Sequence, residues 1–215
     1  MKSIGRGTGR RGKKQGAVEL CHSKRKPEPE VADLRVLCEP DLKVEVCNRQ
    51  RSVSVDTQRL AGLIRILLSE LLGLRSAELS ICLLGDHAIA RLNEGYVGHA
   101  GPTDVITFDY RNTVSEGILA GAGKPELRGE ICIGVHEARR QARRYRCDWS
   151  HEVVRYVIHG VLHLLGYDDG EVAARRRMKR LEDRLLQRLV ARMGPLRLDR
   201  SFGASRRLVA GRVET

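Results

Sequence analysis

At 215 residues the chain is long enough for one ordinary domain with a full core, and it carries a formal charge of +12. Residues 1–40 hold 10 Lys/Arg against 5 Asp/Glu and residues 194–215 hold 5 against 2, so the two ends supply +8 of that charge. The excess points to a polyanionic partner (RNA, DNA or an anionic membrane), while the lack of any apolar run of transmembrane length or hydrophobic signal core argues against an integral membrane or secreted protein.

Taken in chain order, residues 1–40 combine Gly, Lys and Arg with a Lys-Pro-Glu-Pro-Glu stretch and few large apolar side chains. This composition predicts a disordered basic extension, read either as an arm for nucleic acid or as a poorly ordered extension from a mis-set start codon. Residues 42–47 alternate like a strand. Residues 56–72 repeat Leu60, Leu63, Ile64, Leu67, Leu68 and Leu71 at helical spacing, and Gly73 stops the pattern. Residues 78–84 read as a buried strand, and Asp86 is expected to cap a short helix ending at Asn93. Residues 104–110 and 130–135 are two further strands rich in β-branched side chains, joined by a Gly- and Ala-rich loop over 112–124. Helices are expected over 136–146, 150–165 and 171–193. The last buries Met178, Leu181, Leu185, Leu189 and Met193 and turns seven Arg and Lys residues outward, the ordinary pattern of a solvated helix face. After Gly194-Pro195 the periodicity is lost, and residues 194–215 read as a basic tail. The sum is an α+β domain over 41–193: a small mixed four-stranded sheet packed with about five helices.

Six cysteines (Cys21, Cys38, Cys47, Cys82, Cys132, Cys147) include no C-x-x-C pair. Cys82 and Cys132 fall in apolar strand-like runs and are expected to be small buried hydrophobes. This usage suits a reduced, cytoplasmic protein without structural disulfides.

The chemistry concentrates in His159-Gly160-Val161-Leu162-His163-Leu164-Leu165-Gly166-Tyr167-Asp168-Asp169. Histidines four apart on a helix share one face, so their rings can hold one metal ion. Gly166 ends the helix in a tight or left-handed turn, and the returning chain brings Asp169 to the same point. Two histidines, a carboxylate and an open position for water is a catalytic zinc arrangement, with nickel and copper suiting similar ligands. The ordinary reading of a bare pair is one core histidine and one solvated. Val157, Ile158, Val161, Leu162, Leu164 and Leu165 make this helix apolar nearly all round, however, and buried imidazoles need partners. A zinc-peptidase reading fails for want of its base, because the residue after the first histidine is Gly160. Glu152, two turns earlier, is expected to cap the helix or face solvent.

These residues resemble the YbeY family of bacterial metal-dependent endoribonucleases, which act in ribosomal RNA maturation. Leu92-Asn93, Gly101-Pro102-Thr103-Asp104-Val105-Ile106-Thr107-Phe108 and Leu127-Arg128-Gly129-Glu130-Ile131-Cys132-Ile133 are similar to further family blocks in the same order. The resemblance covers residues 42–193. It implies cleavage of single-stranded RNA, small-subunit ribosomal RNA in particular, with the ribosome or ribosomal proteins as partners and no membrane. One Zn²⁺ per chain would be held by His159, His163 and Asp169 on a central buried helix. Two departures stand out. Asp169 occupies the place of a third family histidine, which lowers the charge of the site by one unit and acidifies a bound water less. Val97 occupies the place of a family arginine tied to nuclease activity. His99, Thr103 and Arg128 are the candidates for stabilising charge on the phosphoryl group. The alternative is a non-catalytic metal-binding ribosome-assembly factor that keeps the fold without turnover.

Overall fold

The structure, a computed structural model, describes residues 39–111 and 125–199. The basic extension up to residue 38, the loop at 112–124 and the end from residue 200 lie outside these residues.

Strand β1 (Asp41–Asn48) opens the fold and leads into helix α1 (Thr57–Ile66). Asp56 caps α1 by accepting a hydrogen bond from the Arg59 backbone N–H at 2.9 Å, which satisfies one of the donors a helix start leaves bare. The helix runs on through a wider, π-type turn (Leu67–Leu71), and Gly73 at φ +72° turns the chain into β2 (Ser76–Leu84). Helix α2 (Asp86–Leu92) follows and also ends in a π-type turn (Asn93–Val97). Its cap is Gly85, without a side-chain bond, and not Asp86. The Asp86 carboxylate is instead gripped in a two-pronged contact by the Arg140 guanidinium at 2.8 and 3.0 Å, a stronger bond than a neutral backbone N–H offers. That guanidinium holds the Asp86 carboxyl below its ordinary range.

Strands β3 (Val105–Asp109) and β4 (Leu127–Gly134) complete the sheet, and helices α3 (Val135–Tyr145), α4 (Trp149–Leu164) and α5 (Val172–Met193) complete the described body. The sheet order is β1-β2-β4-β3, with β1, β2 and β4 parallel and β3 antiparallel to β4. It is the mixed four-stranded α+β architecture that the hydrophobic pattern implies.

Strand alternation divides the sheet into two unlike faces. Val44, Leu79, Ile81, Leu83, Ile131 and Ile133 point to one side and join a core with side chains of α1, α4 and α5. Helix α4 crosses this face closely. A methyl at Gly160 would stand 2.8 Å from Ile131 Cγ2 and 3.1 Å from Thr107 Cγ2, so only glycine lets the helix lie this near the strands. The core also continues past α5. Leu196 and Leu198 are fully buried, and Leu198 donates its backbone N–H to Ser150 Oγ at 3.0 Å. The first residues read as a tail therefore belong to the packed body through Asp199. An i, i+2 pair outside any helix breaks the helical period, which is why helical spacing overlooks it.

Candidate metal centre

Helix α4 starts at Asp148, whose carboxylate accepts from the Ser150 N–H at 2.8 Å. Apolar side chains on nearly every side then bury it between the sheet and α5. His159 and His163 emerge together at its carboxyl-terminal end, about a quarter exposed, with Nε2 atoms 3.0 Å apart and rings near perpendicular. Gly166 at φ +90° ends the helix, with the Gly166 N–H donating to His163 O at 2.9 Å and the Tyr167 N–H to Leu162 O at 3.0 Å. The left-handed turn sends the chain back over the helix end. Asp169 arrives with its Oδ1 3.9 Å from His163 Nε2, and one ligand atom from each of His159, His163 and Asp169 lies within 4.8 Å of the others. Arg175 pins the returning loop by donating to the Asp169 and Gly170 carbonyls at 3.0 and 3.3 Å.

The protonation pattern decides what this cluster suits. His163 Nδ1 lies 3.0 Å from the Tyr167 carbonyl, which can only accept, so that nitrogen carries the hydrogen. His159 Nδ1 lies 3.2 Å from Glu182 Oε2. Burial alone would raise the Glu182 carboxyl, but hydrogen bonds from His159, Lys179 and Arg155 hold it down at about 2, so it too only accepts. In their neutral form both imidazoles thus carry hydrogen on Nδ1 and turn bare Nε2 lone pairs toward each other. Two lone pairs facing at 3.0 Å repel unless a cation or a proton stands between them. Metal–nitrogen bonds of about 2.0–2.1 Å at tetrahedral angles set two ligand nitrogens about 3.3 Å apart. The donor set therefore fits a shared divalent ion, with both rings held by their second nitrogen in the usual way of metal-binding histidines.

Glu182 is the group that sequence reading missed. It is 4% exposed and sits in a cage of cations, with Arg155 Nη1 and Lys179 Nζ each 2.8 Å from Oε1. The same Arg155 nitrogen is 2.6 Å from Asp183 Oδ1. The available signal was positional: residue 182 falls on the stripe of α5 that buries Met178, Leu185 and Leu189, where a charge requires partners. His159 feels two opposing effects; burial disfavours its charged form, and Glu182 outweighs this and raises its pKa. Glu152 also departs from expectation. It neither caps α4 nor faces solvent but is 6% exposed, 3.4 Å from Arg155 Nε and from Cys147 Sγ.

The three candidates for charge stabilisation do not converge on this point. Thr103 Oγ1 donates to Asp104 Oδ1 at 3.0 Å, and Asp104 lines a cavity of about 250 Å³ with Tyr156, His159 and Glu182. Thr103 is thus one residue removed from the site. His99 is exposed beyond α2, its N–H bonded to Asn93 O at 3.3 Å, and among the described residues no contact joins its ring to the histidine pair. Arg128 lies on the far face of the sheet. Its neighbour Gly129 faces Leu164 of α4, so alternation turns Arg128 away, where it pairs with Glu78 at 3.0 Å.

The chain is similar to known proteins. The family model described as Endoribonuclease YbeY matches residues 45–190. The chain belongs to the YbeY family. An Endoribonuclease YbeY from Pelotomaculum thermopropionicum is 37% identical over 153 residues, 69% of this chain and 97% of that protein. Another from Chlorobium phaeovibrioides is 35% identical over 133 residues, 62% of this chain and 82% of its own length. The solution structure of a Thermotoga maritima protein is 22% identical, covering 69% of this chain and 90% of that one with a TM-score of 0.47. The YbeY match spans every described element from within β1 to within α5 and contains all three candidate ligands.

Proposed function

We propose that this YbeY-family chain is a metal-dependent endoribonuclease that cleaves single-stranded RNA in ribosomal RNA maturation, with one zinc ion held by His159, His163 and Asp169. The observation that carries the metal is the pair of bare Nε2 atoms 3.0 Å apart beside a carboxylate. The names of the relatives supply the reaction class. When bound, the ion supplies a Lewis acid that polarises water or a phosphate oxygen.

The chain's own residues do the rest. Glu182 and the Tyr167 carbonyl hold the hydrogens on Nδ1, which keeps both rings in the tautomer and orientation that the ion needs. Arg175 fixes the loop bearing Asp169. The exposed Arg176, Arg177, Arg180, Arg184 and Arg188 of α5 offer sequence-independent attraction for phosphates, so affinity should fall steeply with salt. RNA-rich ribosomal partners and a cytoplasmic setting complete the proposal. They accord with free cysteines at 47, 82, 132 and 147 and with no described helix long and apolar enough to cross a membrane.

One observation favours a non-catalytic assembly factor: Val97, about half exposed at the end of the π-type turn, has no charge to offer a phosphate. Cleavage of a single-stranded RNA by wild type, His163→Ala and Val97→Arg, with metal content assayed in each, separates the readings. Cleavage that disappears together with the metal in His163→Ala supports the enzyme. An inactive wild type that gains cleavage on Val97→Arg supports the assembly factor.

A further inference from the structure

On the side of the sheet away from α4, helix α2 covers only one end, where Ile89 packs with Cys82, Leu84, Ile106 and Cys132. Beside it opens a cavity of about 840 Å³. Three of the chain's eight Phe, Tyr and Trp residues gather there, although the chain is poor in aromatics. Tyr96 and Phe108 meet edge to face with centroids 5.2 Å apart, and Phe108 and Tyr110 lie nearly parallel at 6.5 Å. Tyr96 is 73% exposed, an arrangement that gains little from burial and leaves its ring free to stack. Arg49 and Arg91 stand on the same walls against one carboxylate, Glu130, which accepts the Tyr110 hydroxyl at 3.2 Å.

We propose that this groove binds an unpaired stretch of the RNA substrate, with bases stacked on Tyr96 and Phe108 and phosphates paired with Arg49 and Arg91. The proposal rests on the endoribonuclease reading and adds to it where the strand lies. Charge selects the orientation: Glu130 repels phosphate from the floor and accepts amino groups of bases, while the arginines attract phosphate to the walls. The volume falls within the ~300–1,000 Å³ of small-ligand sites, room for about one or two nucleotides and too little for a duplex. Stacking on an aromatic side chain also requires an open base face. Strand β3 borders both the groove and the helix that carries the histidine pair. Phe108 faces the groove, while its neighbour Thr107 faces Gly160, the residue after His159. Since β3 is the sheet's edge strand, an RNA chain rounding that edge meets both surfaces.

The test is fluorescence anisotropy of a labelled short oligouridylate with the full chain, in EDTA so that no metal-dependent cleavage occurs. Melting temperatures accompany each variant. Tyr96→Ala should weaken binding about five-fold or more, and Tyr96→Phe should leave it unchanged. Arg91→Ala should weaken binding and lower the salt slope by about one. An abasic oligomer should bind wild type as poorly as the normal oligomer binds Tyr96→Ala. Wild-type affinity in Tyr96→Ala and Arg91→Ala, or equal binding of the abasic oligomer, overturns the proposal and leaves the groove to a protein partner. Failure of the enzyme reading looks different. Wild type loaded with metal would then not cleave RNA, while the groove variants still lost binding.

Discussion

The two faces of the sheet come from the same four strands and have opposite characters. On the helix-covered face nearly every side chain is aliphatic and buried, and charged groups gather at its border, where Glu182 pairs with both His159 and Arg155. The other face carries a row of charges across three strands, from Lys43 to Glu78 at 3.1 Å and from Glu78 to Arg128 at 3.0 Å, with thiols and aromatic rings beside it. Dry surroundings on the first face make a few polar groups interact strongly and fix their protonation. Solvent on the second face screens its ion pairs, leaving it suited to recognition through shape and stacking. The proposed chemistry and the proposed RNA binding thus sit on opposite sides of one strand.

Breaking the covered side at the ligands should have the largest effect. His163→Ala is expected to abolish stoichiometric metal and to lower RNA cleavage by about a thousandfold, the several kcal/mol a metal contributes to such a reaction. Elemental analysis with initial rates checks this, and full activity without metal would remove the site from the reaction. One shell out, Glu182→Gln should weaken metal affinity by about 10–100-fold, read by competition with a chelator. Glu182→Ala should also cost about 1–3 kcal/mol of stability, because His159, Arg155 and Lys179 lose a shared acceptor while Asp183 still pairs with both cations.

The same carboxylate has a pH signature. Its folded pKa, about 2, lies below the ordinary 4.5. Its stabilisation is therefore present above pH 4.5 and disappears as pH falls toward 2. Melting temperatures of the metal-free protein should fall across that window in wild type and fall less in Glu182→Gln.

Gly160→Ala sharpens the comparison without touching a ligand. The added methyl meets Ile131 and Thr107, so about 1–3 kcal/mol of stability should be lost in denaturant titration. Smallest of all is the chemical contrast among the thiols. Burial, with Glu130 nearby, pushes Cys132 up to about 12, and burial raises Cys82 and Cys147 as well, but Cys147, like Cys47, is exposed. A thiol reagent followed by peptide mapping should label Cys47 and Cys147 in the native protein and spare Cys82 and Cys132 until unfolding.

Elements with a clean period were legible in the sequence. The β-branched runs of β3 and β4 and the leucine spacing of α1 announced themselves because burial of one face imposes a repeat. His159, His163 and Asp169 were legible for a similar reason: helix periodicity and one left-handed glycine bring them together within eleven residues, with no help from distant chain. Arg128 shows where such reading stops. Its position next to Gly129 is plain, but which side of the strand faces α4 depends on packing against a helix some thirty residues on.

By itself, then, the sequence determined the secondary elements, the α+β class, the meeting of His159, His163 and Asp169 and the family, all of which rest on short-range spacing. Tertiary structure alone decided that Glu182 and Arg155 lock the tautomer of His159, that Leu196 and Leu198 close the core, and that Tyr96, Phe108, Arg49 and Arg91 share one groove. Those groupings join residues far apart in the chain. Their partnerships are set by which faces are driven out of water against each other, and no local pattern records that choice.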